Sequence, residues 1–247
     1  MQIIDYSPLR NEGNSISIPD LLRGIWEYDL SWYRDLKAQD ILLANLKKNL
    51  GDDFYLVRSL TWPGIGFPIP MVLIGPPGVQ VIFASALKGV YRLKQHQLAV
   101  LDDRSRRYKL THPNPISRLL VMTEAIVEHL GTLQLPQDLV KPVFYMFQPG
   151  VHVDVEDPAI RLVRPDAVDH FITGLLQKEP VLDEHQIEQI VKALSKPPEE
   201  EPLPQEPKYF TLGSLHLLYW QWLVLMIMAS ITFCIFIAAV AYILTNL

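Results

Sequence analysis

The spacing of apolar positions changes along the chain, and it predicts the elements of one α/β domain. Residues 31–50 carry leucines at helical spacing, as in an amphipathic helix, and Gly51 is a suitable residue to end it. Short apolar runs bounded by turn residues then predict strands at residues 55–60, 71–74, 79–83, 90–93, 97–101, 143–147 and 159–163. Further helical patterns lie at residues 115–131, 166–176 and 181–195, so the order indicates a mixed central sheet flanked by helices.

Capping and turn residues mark several of these boundaries. Asp183 is a good N-cap with Gln186 at the capping-box position, and Asp166 is placed to cap the shorter helix before it. Gly75-Pro-Pro-Gly78 predicts a tight turn between two strands. It is not a phosphate loop, because proline lacks the N–H groups that bind phosphate and no Gly-Lys-Ser/Thr ending follows.

The last part of the chain is apolar at almost every position from residue 223 to residue 244. A helix of this length would be about 33 Å long, against about 30 Å for the hydrocarbon core of a bilayer. Tyr219, Trp220 and Trp222 precede the run, where aromatic rings favour the headgroup layer. The run therefore predicts one transmembrane helix, and the alternative is a buried helix of a soluble protein.

Charge and proline place the remaining segments around this span. Residues 196–208, KPPEEEPLPQEPK, predict an extended spacer, since proline blocks helix and glutamates repel each other. The nearest lysines all precede the span, so the positive-inside rule places the domain in the cytoplasm. We therefore expect a single-pass, tail-anchored protein. Its predicted parts are an N-terminal extension (1–30), an α/β domain (31–195), the spacer, a juxtamembrane segment (209–222) and the span.

Composition narrows the classes of function. The 247 residues include 27 Asp and Glu against 22 Lys and Arg, a net charge of -5 that does not favour a general nucleic-acid binder. Cys234 is the only cysteine, so no intramolecular disulfide can form. Ser230, Cys234 and Ala238 follow four-residue spacing, which allows close approach of two membrane helices and predicts a homodimer seam. The alternative is that small residues are simply common in such helices.

A resemblance to the nuclease-related domain (NERD) family rests on residues 69–85, which read IPMVLIGPPGVQVIFAS, and on Gly89. Members of that family have a strand bearing an Asp, a Gly-Pro-Gly-type turn, a strand ending in Glu-x-Lys and a downstream Gly. Asn114-Pro115 matches the Asn-Pro that begins the next helix in the family. The resemblance covers residues 31–195 and implies a restriction-endonuclease-like fold.

The resemblance also implies catalytic positions, and this chain departs from the family at these positions. Such nucleases hold a divalent cation through a helix Glu, the strand Asp and the Glu of Glu-x-Lys, while the Lys polarises the attacking water. The matching positions here are Gln39 (or Asp40), Pro70, Phe83 and Ser85. At most one carboxylate remains. We therefore expect a non-enzymatic scaffold without a metal or other cofactor, acting by binding a protein or nucleic-acid partner; the alternatives are a nuclease with relocated ligands and a structural subunit of a membrane complex.

Two charged clusters complete the candidates. A basic patch that would suit nucleic-acid phosphates or anionic lipid comprises Lys88, Arg92, Lys94, Arg104, Arg106, Arg107, Lys109 and Arg118. Tyr91 and Tyr108 lie within it and are candidates for base stacking. A second cluster, with metal-ligating side chains, comprises His152, Asp154, Glu156 and Asp157. The alternatives are a solvated hairpin for the first cluster and a solvated edge strand for the second.

Overall fold

The computed structural model describes residues 1–7, 16, 30–102, 104–133, 135–156, 160–196, 209–212, 215–218 and 224–234. The chain divides into two compact units, Met1–Glu199 and Glu200–Leu247. The strands of the larger unit are β1 (Gln2–Asp5), β2 (Tyr55–Leu60), β3 (Ile69–Gly75), β4 (Gly78–Ser85), β5 (Val90–Lys94), β6 (Gln97–Asp102), β7 (Arg107–Leu110), β8 (Val140–Met146), β9 (His152–Val155) and β10 (Arg161–Val163). Its described helices are α1 (Leu30–Asn49), α2 (Pro115–Gly131), α3 (Val168–Leu176) and α4 (Glu184–Leu194).

The main sheet has the order β1-β2-β3-β4-β8-β10. Strands β2, β3 and β4 form an antiparallel meander, and β1 is parallel to β2. On the other side of the sheet, β8 is parallel to both of its neighbours, β4 and β10. Apolar residues of α1 and α3 pack on one face of this sheet, and those of α2 and α4 pack on the other. The predicted mixed sheet flanked by helices is therefore confirmed.

The turn between β3 and β4 explains why this sequence needs its glycines. Pro76 and Pro77 form the turn, and Gly75 pairs with Gly78 at its base, as predicted. A Cβ on Gly75 would lie 2.3 Å from the Phe54 ring, and one on Gly78 would lie 2.7 Å from the Leu139 carbonyl oxygen. The Pro76 carbonyl accepts hydrogen bonds from the backbone N–H groups that precede α4. The turn is thus a packing element of the domain.

A second sheet, in the order β7-β6-β5-β9, follows the end of β4. Tyr91, Leu93 and Leu98 point from it into the same core as α2, so one of its faces is buried and the other is outward. The β5–β6 turn packs close to α2, because the side-chain nitrogen of Asn114 donates to the His96 carbonyl at 2.9 Å. Asn114 also caps α2, with Pro115 as the first helical residue.

The helix ends test the capping predictions directly. Asp183 accepts from the Gln186 N–H at 2.8 Å, and the Gln186 side chain accepts from the Asp183 N–H at 3.0 Å, so the predicted capping box is confirmed. The prediction for Asp166 was wrong. Asp166 lies in a 3₁₀ turn (Pro165–Ala167), and Ala167 occupies the cap of α3 without a side-chain bond. Asp166 instead lies 3.4 Å from Arg164.

Strands β1 and β7 were not predicted. Strand β1 falls in the segment expected to precede the domain, yet its four residues pair with β2 along their whole length. Its pattern is mostly exposed, so it lacks the alternation that identifies a strand in sequence. Strand β7 was not predicted for the same reason, because it is a charged edge strand whose residues are mostly exposed.

The smaller unit contains an antiparallel hairpin, β11 (Tyr209–Leu212) with β12 (Leu215–Leu218), in the predicted juxtamembrane segment. Residues 224–234 form a helix, α5, whose described residues are all exposed. Several predicted features lie outside the described residues. They are the spacer from residue 197 onward, Tyr219, Trp220, Trp222, Ala238 and the rest of the predicted span. Within the part of the chain that the structure describes, no helix has the length and apolar character needed to cross a membrane.

Candidate functional site

The predicted catalytic strand positions carry apolar or neutral side chains. Phe83 packs against the core beneath α2 and α4, where its ring stacks on Phe144 with centroids 5.8 Å apart and planes at 19°. Pro70 is half-buried in β3, and Ser85 is buried at the end of β4. These positions offer no carboxylate oxygen to a cation.

The predicted helix positions, Gln39 and Asp40, lie on α1, which packs on the opposite face of the sheet from the Phe83 ring. The Asp40 carboxylate accepts from Nη2 of Arg58 at 3.0 Å. Nη1 of the same guanidinium lies 3.5 Å from the Asp5 carboxylate. Asp40 therefore forms an ion pair with Arg58 of β2.

The acid of α1 that reaches the end of β4 is Asp35, which the sequence analysis missed. Its Oδ1 accepts from the Ala86 N–H at 2.8 Å and from the Ser85 hydroxyl at 3.3 Å. Asp35 precedes Gln39 by four residues, so both lie on one face of the helix. The signal in the sequence that could have found Asp35 is this spacing, because Asp35 lies one helical turn before Gln39.

A divalent cation does not fit these residues. Hard cations need several oxygen ligands, and Asp35 is the acid described beside Ser85. Among the described residues, no group of three or more His, Cys, Asp or Glu side chains could hold a metal ion. The described residues beside Ser85 therefore supply one carboxylate, that of Asp35.

Much of the predicted basic patch is neutralised by acids on neighbouring strands. Strand register places Arg92 opposite Asp154, and the two side chains lie 3.0 Å apart. Lys94 pairs with Glu156 at 2.8 Å, and Lys109 pairs with Asp102. Asp154 and Glu156 thus form ion pairs with cations of β5, which agrees with the alternative that the His152 cluster is an edge strand. Asp157 lies outside the described residues.

The tyrosines of the patch are not open stacking platforms. Tyr91 is buried, its hydroxyl donates to the Lys88 carbonyl at 2.9 Å, and burial raises the pKa of its phenol. The Arg92 guanidinium lies 4.3 Å above the Tyr108 ring. Arg118, the last member of the predicted patch along the chain, has its guanidinium carbon 5.2 Å from the centroid of the Phe67 ring. Base stacking by this pair of tyrosines is therefore not supported.

Two parts of the patch are exposed and form no ion pair with a described residue: Lys88, and the arginines of the β6–β7 turn. Arg104, Arg106 and Arg107 are all exposed, and none has an ion pair with a described residue. Asp102 begins the turn and receives hydrogen bonds from Lys109, the Arg104 N–H and the Ser105 hydroxyl. These bonds, with that from Lys109 the largest, lower the Asp102 pKa from 3.8 to about 2. The Asp102 carboxylate that holds the turn is therefore ionised at neutral pH.

Two surface grooves lie elsewhere on the larger unit. One, of about 330 Å³, lies beyond the carboxyl ends of β8 and β10, between residues 148–151 and 164–166. This edge of parallel strands commonly holds ligands in α/β sheets. The other, of about 370 Å³, lies between α1 and α3 beside Asn45 and Asp169. Neither contains a predicted site residue.

Comparisons of the chain with protein-family models, with curated proteins and with solved structures found no match. The resemblance to the NERD family therefore stays a prediction drawn from residues 69–85 and 114–115.

Proposed function

We propose that the protein is a single-pass, tail-anchored membrane protein whose cytoplasmic domain is a nuclease-like scaffold that binds a partner without catalysing a reaction. The observation that carries the proposal is the stack of Phe83 on Phe144, because an apolar ring fills the position where the resemblance implies a metal-binding Glu. The partner that it binds is a protein or a polyanion.

The order of elements supports the nuclease-like architecture. Helix α1 is followed by the antiparallel meander β2-β3-β4, then by α2 and by β8 parallel to β4. Asn114 begins α2 at the position of the Asn-Pro motif. Register pairs Phe83 with Phe144 and Ser85 with Met146, so the implied catalytic strand is the centre of the sheet and not an edge.

The chemistry of the α1–β2 contact supports a silent site. A single buried guanidinium, Arg58, lies between Asp5 and Asp40, so these two carboxylates share one covalently fixed cation. Unlike a bound metal, this cation cannot activate a water molecule, because it has no open coordination position. The arrangement holds β1, β2 and α1 together.

The described part of the predicted span supports membrane attachment. Every residue of α5 is exposed, and its large side chains are apolar, including Met226, Ile227 and Phe233. The hydroxyls of Ser230 and Thr232 donate to the carbonyls four residues earlier at 2.9 Å, so they need no water. Apolar surface exposed on every side of a helix favours a lipid environment over water.

Two measurements on the full-length protein test the two halves of the proposal. Incubation with plasmid DNA and Mg²⁺ or Mn²⁺ should leave the DNA intact; cleavage that disappears in Asp35→Ala or Asp40→Ala would overturn the silent scaffold. In alkaline carbonate extraction of membranes, the full chain should stay in the pellet and a chain ending at residue 222 should be released. Release of the full chain would overturn the anchor.

A further inference from the structure

We infer that the β11–β12 hairpin lies in the head-group layer of the membrane, with one of its two faces against the acyl chains. The inference deepens the proposed function and rests on its membrane anchor. It names a second contact with lipid, which precedes the span along the chain. It also names the class of ligand, which is the neutral bilayer surface and not a particular charged head group.

The register of the two strands divides the hairpin into unlike faces. Residues directly opposite each other in an antiparallel pair share a face, and so do alternate residues along each strand. The pairing therefore places large apolar residues together on one face: Phe210 opposite Leu217, and Leu212 opposite Leu215. The other face takes the residue types with polar groups, together with one leucine: Tyr209, Thr211, His216 and Leu218. The hairpin is thus amphipathic.

The sequence of the hairpin carries no charge that opposes contact with lipid. The last charged residue of the chain is Lys208, and β11 begins at the next residue, Tyr209. Residues 209–247 contain no Asp, Glu, Lys or Arg. A surface without basic residues does not attract anionic head groups, so its binding depends on the apolar area that it buries.

The length of the chain between the hairpin and the predicted span keeps the hairpin close to the bilayer. Strand β12 ends at Leu218, and the predicted span begins at Leu223. Five residue steps reach at most about 18 Å when fully extended. The head-group layer on each side of a bilayer is roughly 5–8 Å thick. A chain held by the span therefore keeps β12 within reach of this layer.

The backbone of the hairpin determines how deep it can lie. The two strands form a sheet of their own, and no other described strand pairs with them. Their outer N–H and C=O groups need water or head groups as partners, which excludes the hydrocarbon core. In water, however, an isolated two-stranded hairpin is marginally stable at best. The interface meets both requirements, because it offers polar partners to the edges and acyl chains to the apolar face.

The test maps the surroundings of single nitroxide labels in the full-length protein, held in phosphatidylcholine nanodiscs. Cys234→Ala removes the only native cysteine. Single label sites are then made by Phe210→Cys, Thr211→Cys, Leu212→Cys, Leu215→Cys, His216→Cys, Leu217→Cys and Ile231→Cys. Electron paramagnetic resonance power saturation measures collisions with oxygen, which partitions into lipid, and with a nickel chelate, which stays in water. The logarithm of the oxygen-to-nickel ratio should be positive at 210, 212, 215 and 217 and negative at 211 and 216.

A carboxylate on each face in turn gives the matched control. Leu212→Glu places it on the apolar face and should shift the logarithm at the Phe210→Cys label from positive to negative. Thr211→Glu places the same charge on the other face and should leave that value positive. An equal shift for both variants would overturn the inference.

Salt and anionic lipid give a further control. Neither added salt nor added phosphatidylserine should change the pattern of the labels, because no basic residue takes part in the contact. A pattern that appears only with phosphatidylserine, and is lost in salt, would overturn the assignment to neutral lipid.

The label at Ile231→Cys separates this inference from the proposed function, because residue 231 lies within the predicted span. A negative value there refutes the anchor, and the inference falls with it. A positive value there, with negative values on both faces of the hairpin, refutes the hairpin contact and leaves the anchor standing. Low collision rates with both reagents at 210, 212, 215 and 217 would overturn the assignment to lipid in favour of packing against protein.

Discussion

Arginine occupies two contrasting regions of the larger unit. At the contact of β1, β2 and α1, Arg58 is 1 % exposed and lies between two carboxylates, Asp5 and Asp40. At the β6–β7 turn, Arg104, Arg106 and Arg107 are exposed and form no ion pair with a described residue. The difference teaches that the same side chain has opposite roles in the two places. Where it is buried, its charge must be neutralised and it fixes the fold; where it is exposed, its charge contributes little to the fold and is available to a ligand.

The largest expected effect comes from leaving the buried cation without partners. Asp5→Asn with Asp40→Asn keeps the shape of both side chains but removes their charges, so it should cost about 3–5 kcal/mol of unfolding free energy. Urea unfolding followed by far-ultraviolet circular dichroism measures this. Arg58→Met is the informative control, because the side chains left behind are 28 % and 40 % exposed and can still contact water. A larger loss for Arg58→Met than for the double variant would contradict the account of this region.

The next effect tests the apolar pair at the implied catalytic position. Phe83→Ala should cost about 2–3 kcal/mol, less than a fully buried phenylalanine, because the Phe83 ring is only half-buried. Phe144→Ala, in the same stack, should cost about 3–5 kcal/mol because Phe144 is fully buried. Equilibrium unfolding of both variants gives the comparison. A neutral or stabilising effect of Phe83→Ala would indicate that the ring is retained for a reason other than packing.

A smaller effect distinguishes the two predicted helix caps. Asp183→Ala removes the side-chain acceptor of the Gln186 N–H and should cost about 1 kcal/mol. Asp166→Ala should cost less than about 0.5 kcal/mol, because Asp166 makes one surface ion pair and caps no helix. Thermal unfolding resolves the pair, and equal losses would mean that the 3₁₀ turn at Asp166 acts as a cap after all.

The smallest effect is a pH dependence confined to the turn. The pKa of Asp102 is lowered from 3.8 to about 2, so its contribution to stability is present above pH 3.8 and is lost as the pH falls through about 2. The difference in unfolding midpoint between wild type and Asp102→Asn should therefore be constant from neutral pH to about pH 4 and then shrink. A difference that shrinks well above pH 4 would show that the carboxylate is not held by Lys109 and the turn.

The parts of the fold that could be predicted are those whose signals are local. The capping box at Asp183, the Asn114-Pro115 start of α2 and the proline turn at 76–77 each depend on neighbours within a few residues, and each was correct. Strand β1 could not be predicted, because it depends on pairing with β2 about fifty residues away. Residue types alone show that the side chains at the positions implied by the resemblance, Pro70, Phe83 and Ser85, are neutral.

The charged sites show where sequence reasoning fails and why. Asp154 and Glu156 are some sixty residues from Arg92 and Lys94, so only the register of β5 with β9 reveals that they neutralise the basic patch. Similarly, Asp35 meets Ser85 across the contact of α1 with β4, whereas the sequence analysis considered Gln39 or Asp40 of the same helix. Residue type indicates what chemistry is available, whereas strand register and helix phase determine which groups meet.

The most direct test of the silent scaffold is an electron paramagnetic resonance titration of Mn²⁺ into the full-length protein, which reports bound and free ion separately. The account predicts that the signal of free Mn²⁺ rises in proportion to the metal added, as it does for Asp35→Ala and for buffer. Saturable binding of one ion per chain that is abolished by Asp35→Ala would show that the end of β4 holds a cation, and it would contradict the proposal that this domain is not an enzyme.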